Sequence, residues 1–252
     1  MLGIFDSGIG GLTVVKELLR RHPQAGFVYL GDTARTPYGN KSPETIRRYA
    51  IEDARFLADK GATTILVACN TVSAVAMDEL RSAFSNIKFF EVITPAITSA
   101  IGKKIGVIGT RATIGSGVYE HRLKERDSSI KVISQACPLF VPLVEENWMD
   151  KSETKRIARA YLEPIRQQQV DSLILGCTHY PLLTEVIRSS LQKRVKIIDS
   201  PSALIDMVER EAGNALVDGK QEYYFTDPSA LTDTIATRWL GKVIKGERAT
   251  LA

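Results

Sequence analysis

Two cysteines carry the reactive chemistry of this sequence. One closes the run Ile65-Leu66-Val67-Ala68-Cys69-Asn70-Thr71, and the other sits within Leu173-Ile174-Leu175-Gly176-Cys177-Thr178-His179-Tyr180-Pro181. A thiolate acts as nucleophile, metal ligand or base, and local charge sets its poise. Taken singly, a cysteine after an apolar run reads as a small buried hydrophobe. Two at matching positions, each followed by hydroxyl-bearing residues, favour the chemical reading. If one thiol removes a proton from a carbon and the other delivers one to the opposite face, the centre inverts. Such acid–base partners need hydrogen-bond reach and suitable neighbours. Asp6, at the tip of the first apolar run, is placed to reach Cys69 if those strands are adjacent, and His179 follows Cys177 by two residues. Read separately, Asp6 serves equally as a helix cap and His179 as a satisfied loop histidine.

Both cysteines must be held by strands. An unbroken apolar run without alternation predicts a central strand of a parallel sheet, whose carboxyl end carries the site. A thiol between that end and a following helix would have its thiolate favoured by the helix N-terminus. The same pattern occurs at Leu2–Phe5 before Asp6-Ser7-Gly8-Ile9-Gly10-Gly11, at Phe27–Leu30 before Gly31-Asp32-Thr33, and at residues 88–93. It restarts at residues 104–109, 131–133, 172–175 and 195–198. Asp6 and Cys69 are 63 residues apart, Thr110 and Cys177 67. Cys69 precedes Thr94 by 25 residues, and Cys177 precedes Ser200 by 23. The chain therefore predicts an α/β fold of two pseudo-symmetric lobes, each a mainly parallel sheet flanked by helices, with the active site in the cleft between them. The tail, with a helix from Ser200-Pro201, a strand at 222–226 and a helix at 231–240, is expected to cross back. That gives a first lobe of 1–95 plus 202–252 and a second of 96–201, hinged near 93–100 and 199–202. Ser42-Pro43 predicts a helix start. Ser152 predicts another, and Pro164 should kink or end that helix.

Composition narrows the function. The 252 residues are 44% hydrophobic, enough for a sizeable core, and no stretch is long and apolar enough to span a membrane. Met1–Asp6 lacks the pattern of a signal peptide, so a cytoplasmic protein is expected. The net charge of +4 is dispersed, which argues against nucleic acid as a partner. An odd count of three cysteines, the third being Cys137, and the scattered His22, His121 and His179 suggest neither a disulfide framework nor a metal site. The glycines at 8, 10 and 11 do not form a dinucleotide fingerprint, and there is no P-loop. Asn70, Thr71, Thr178 and His179, with Ser7, Tyr38 and the backbone at Gly39, form a small polar ring suited to a carboxylate-bearing zwitterion.

Four motifs carry a resemblance. Asp-Ser-Gly-Ile-Gly-Gly at 6–11, Gly-Asp-Thr-Ala-Arg with Pro-Tyr-Gly at 31–39, Ala-Cys-Asn-Thr at 68–71 and Gly-Cys-Thr-His-Tyr-Pro at 176–181 resemble the glutamate racemases of the aspartate/glutamate racemase family. The resemblance spans nearly the whole chain. It implies cofactor-independent interconversion of L- and D-glutamate, supplying D-glutamate for peptidoglycan. It implies Cys69 and Cys177 as the acid/base pair, Cys69 deprotonating the D isomer and Cys177 the L isomer, assisted by Asp6 and His179. It further implies that Asp6, Ser7, Tyr38, Gly39, Asn70, Thr71, Thr178 and His179 contact the amino acid, together with Thr110 and Thr113 in the second lobe. Glu145 in Val-Glu-Glu at 144–146, rather than Glu146, matches a carboxylate near the site. Members commonly dimerise, so a homodimer is expected. The competing readings are a racemase for aspartate or another small acid, and a non-catalytic two-lobed amino-acid-binding protein. A thiol–disulfide role is weaker, since substrate would lie between the sulfurs.

Overall fold

The structure, a computed structural model, describes residues 1–251. Ten strands run in chain order: β1 Leu2–Asp6, β2 Phe27–Gly31, β3 Thr64–Val67, β4 Lys88–Glu91, β5 Lys104–Gly109, β6 Lys131–Ala136, β7 Ser172–Gly176, β8 Lys196–Asp199, β9 Gln221–Phe225 and β10 Glu247–Arg248. They form a six-stranded sheet, ordered β10-β9-β2-β1-β3-β4, and a four-stranded sheet, ordered β6-β5-β7-β8. Every strand pair in both sheets is parallel. The expected repeat appears as one shared topology, since β2-β1-β3-β4 and β6-β5-β7-β8 follow the same order. The tail crosses back through β9, which pairs with β2.

β1, β2, β3 and β7 are buried at every position, which is why their sequences lack alternation. Register sets the sites. Phe5 pairs with Val67, so Asp6 and Cys69 emerge from neighbouring strands. Gly109 pairs with Gly176, so Thr110 and Cys177 emerge side by side from the other sheet.

One apolar cluster runs through both halves, from Ile4, Tyr29 and Leu66 to Ile108, Leu175 and Tyr180. Each fully buried Leu or Ile in it contributes about 1.5–3 kcal/mol. The crossings expected as hinges are helical: Ile93–Ser99 is one helix, Ser200–Ala212 another, and the two pack together. Leu204, Ile205 and Val208 tie the second of them into the shared core.

Local signals hold in part. Ser42 accepts a hydrogen bond from the Thr45 amide and caps the helix Pro43–Asp59. Ser152, in contrast, is the first residue of the helix Ser152–Gln167, with Lys151 at the cap position. Pro164 does not end that helix. Only its last turn lies beyond the proline, so the lost N–H removes one bond near an end that frays anyway. After Cys137 the chain forms the helix Phe140–Glu145. Among the described residues no helix is long and apolar enough to cross a membrane.

Candidate active site

The two cysteines line one narrow cavity between the carboxyl ends of the two sheets. Both are buried and unpaired. Ser7, Tyr38, Gly39, Asn70, Thr71, Thr110, Thr178 and His179 line the same cavity, and no lysine or arginine does. Three residues of the wall escaped the sequence reading: Thr36, Pro37 and Val141. Pro37 opens the Pro-Tyr-Gly motif without having been given a contact and Thr36 precedes it, whereas Val141 carries no chemical signal at all.

Cys69 is the N-cap residue of the short helix Asn70–Val75, and its sulfur donates to Ser7 Oγ at 3.3 Å. The helix was expected to favour the thiolate. Burial dominates instead, followed by the charge of Asp6. Together they push the thiol up to about 12 against the opposing hydrogen bonds from Ser7 and the helix amide of Val72. Burial and Asp6 therefore favour the thiol form of Cys69 over its thiolate.

Asp6 is fully buried and does not line the cavity. It holds the motif together, its Oδ2 accepting from the Gly8 amide at 3.1 Å and its Oδ1 from Thr178 Oγ1 at 3.3 Å. Burial holds its carboxyl above the usual carboxylate range, against the opposing pull of His179 and the surrounding donors. Thr13 Oγ1 adds a second stitch to the other sheet, 3.0 Å from the Thr178 carbonyl.

Cys177 is followed by a 3-10 turn, Tyr180–Leu183, not directly by an α-helix. The imidazole of His179 reaches both ways. Nδ1 lies 3.9 Å from the Cys177 sulfur and Nε2 lies 3.0 Å from Glu145 Oε1. Burial works to lower the His179 pKa, but the hydrogen bonds to Cys177 and Glu145 outweigh it and lift the ring to about 10. A positive imidazole thus stands beside the second sulfur. Glu145 lies at the mouth, lining two outer grooves and not the inner cavity.

Three hydroxyls close the seam between the halves. Thr71 Oγ1 lies 3.0 Å from Thr110 Oγ1 and 3.3 Å from Thr113 Oγ1. Thr110 also caps the helix Arg111–Gly115 by accepting from the Thr113 amide. Thr113 is buried behind the cavity wall. Two glycines allow the halves to meet this closely. A Cβ on Gly39 would lie 2.5 Å from Thr110 Cβ, and one on Gly10 would lie 2.5 Å from the His179 ring.

The Tyr38 hydroxyl is engaged by two carboxyls. It bonds to Asp32 Oδ2 and, at 2.9 Å, to Asp53 Oδ2, both on buried carboxyls beside Arg35. A phenol has one proton to donate, so contact with two carboxyls requires a proton on one of them. Burial first, and then the charge of Asp32, hold Asp53 well above the usual carboxylate range. The tyrosine therefore braces the Pro37–Gly39 loop, and what it offers the cavity is its ring and backbone.

Asn70 completes the wall. Its Oδ1 accepts from the Tyr119 hydroxyl at 2.7 Å, and its Nδ2 is buried without a partner among the described residues. An unpaired amide beside backbone N–H groups and hydroxyls is a host for a carboxylate.

Two parallel α/β sheets that each deliver one thiol to a shared cavity lined by hydroxyls and an amide define the racemase class of α/β protein. The chain belongs to the Asp/Glu/hydantoin racemase family, whose sequence model matches residues 12–208. It is 43% identical to a glutamate racemase of Geobacter metallireducens over 95% of this chain and 92% of that protein. It is 46% identical to one of Aquifex aeolicus over 97% and 95%. Its fold matches the crystal structure of glutamate racemase from Francisella tularensis in complex with D-glutamate, with a TM-score of 0.93, 34% identity and coverage of 99% and 97%.

Proposed function

We propose that this protein is a glutamate racemase that works with two thiols and supplies D-glutamate for peptidoglycan synthesis. The observation that carries the reading is the pair Cys69 and Cys177, brought from two sheets to one cavity. One sulfur, as thiolate, takes the α-proton and leaves its electron pair on the α-carbon. The other, as thiol, gives its proton to the opposite face and becomes the thiolate. The reaction is then balanced with the two protonation states exchanged, and the reverse reaction starts from that exchanged form. Cys69 acts on D-glutamate, beside Asp6, and Cys177 acts on L-glutamate, beside the His179 imidazole. The 3.9 Å contact to Nδ1 and the bond from Nε2 to Glu145 support a role for His179 in holding that proton. Ser7, Asn70, Thr71, Thr110 and Thr178 supply donors for the substrate's carboxylates, Gly39 permits the close wall, and Thr113 and Glu145 act from behind Thr71 and His179 respectively.

We further propose a first lobe of residues 1–95 and 202–252, a second of 96–201, a homodimeric assembly and a cytoplasmic location. The test of the reaction is circular dichroism of L-glutamate and, separately, L-aspartate incubated with the protein. Loss of the glutamate signal alone supports the reading, and it should vanish with Cys69→Ser or Cys177→Ser. Loss of the aspartate signal alone would make the protein an aspartate racemase. Undiminished racemisation by Cys177→Ser would refute the two-thiol mechanism.

A further inference from the structure

A second layer of the site lies behind Asn70. Tyr119, on the helix Val118–Arg126, is buried and does not line the cavity. It reaches from the second sheet's half to Asn70, which begins the helix after β3, and donates to Oδ1 at 2.7 Å. Its ring is set by packing, with Cε2 3.2 Å from where a Cβ on Gly176 would stand, one residue before Cys177. The other end of the amide, Nδ2, is buried and unpartnered among the described residues.

An asparagine amide has two chemically opposite ends. One orientation presents an N–H₂ donor to a ligand and the other presents an acceptor. A carboxylate accepts hydrogen bonds and is repelled by a carbonyl oxygen. Whatever fixes the amide therefore decides whether Asn70 attracts or opposes the substrate. Resting on the glutamate reading above, we propose that Tyr119 is a positioning residue for substrate binding. By donating to Asn70 Oδ1, it turns the amide N–H₂ into the cavity, where it binds a substrate carboxylate. Because the hydroxyl comes from one half and the amide from the other, this donor is set only while the halves are together.

Binding of DL-glutamate, whose composition turnover cannot change, is measured by calorimetry on four proteins: unaltered, Tyr119→Phe, Asn70→Ala and the double variant. Tyr119→Phe keeps the ring and removes only the hydroxyl, so it should weaken binding about 2- to 10-fold. In the Asn70→Ala background it should weaken binding no further. In steady-state racemisation Tyr119→Phe should raise KM more than it lowers kcat, a split that also reads the proposal should Asn70→Ala not fold. A merely structural role would lower the melting temperature without dependence on Asn70. Equal weakening in both backgrounds, unchanged binding by Tyr119→Phe, or a loss confined to kcat would overturn the proposal. Failure of the unaltered protein to bind glutamate would instead refute the functional reading beneath it.

Discussion

Gly10→Ala tests whether the seam between the halves sets the catalytic geometry. The added methyl would lie 2.3 Å from Thr178 Oγ1 and 2.5 Å from the His179 ring, in Cε1 and Nδ1. Ordinary carbon contacts are about 3.5–4.0 Å, so something must retreat by roughly 1 Å. The ring has little room, since it spans 3.9 Å to the Cys177 sulfur and 3.0 Å to Glu145. Such an overpacked contact costs about 1–3 kcal/mol of stability, and a misplacement of about 1 Å can cost about 10²-fold in rate. The expected result is a fall in kcat near 100-fold, out of proportion to a modest fall in the urea midpoint. Gly115→Ala is the control: a Cβ there meets nothing within 4 Å, so both readings should stay near those of the unaltered protein. The reasoning fails if Gly10→Ala racemises glutamate within about twofold of the unaltered rate at unchanged stability.

Two further perturbations follow from the buried charges. His179 is lifted from 6.5 to about 10, so its stabilising contribution is fully present below about 6.5 and is lost as pH rises through about 10. Glu145→Gln removes one of the groups that lift it, so the imidazole should titrate at lower pH by NMR, and the alkaline loss of stability should begin earlier than in the unaltered protein. Asp53 should tolerate Asn but not Ala. Its carboxyl is held well above the usual range by burial and by Asp32, so its charge is disfavoured and Asp53→Asn keeps a polar group of the same shape, whereas Asp53→Ala removes its contacts with Tyr38 and Arg35 together and should cost about 1–3 kcal/mol in urea denaturation.

Much of the fold is legible in the sequence because both cysteine strands are buried on two faces. Their uninterrupted Ile, Leu and Val runs carry that burial directly, and similar spacings reveal the repeat. The adjacency of Asp6 and Cys69 follows from β1 lying beside β3. Side chains whose meaning depends on a distant partner leave no local mark. Nothing local marks Tyr119 or Asp53, whose roles come from Asn70 and Tyr38 packed against them. Val141 joins the cavity wall only because the helix Phe140–Glu145 folds over it. The balance at Cys69 is hidden for a related reason. A helix N-terminus is visible in sequence, but the depth of burial and the nearby carboxylate that outweigh it are tertiary facts. Glycines 10 and 39 stand in recognised motifs, yet what each makes room for belongs to the opposite half.

The most direct test follows the α-hydrogen. L-Glutamate is incubated briefly with the protein in D₂O, and each enantiomer is then examined for deuterium at Cα. Two separate proton carriers on opposite faces predict D-glutamate bearing deuterium while the remaining L-glutamate keeps its hydrogen. Early D-glutamate that retains the original hydrogen would mean that a single group carries it from face to face, contradicting the assignment of Cys69 and Cys177.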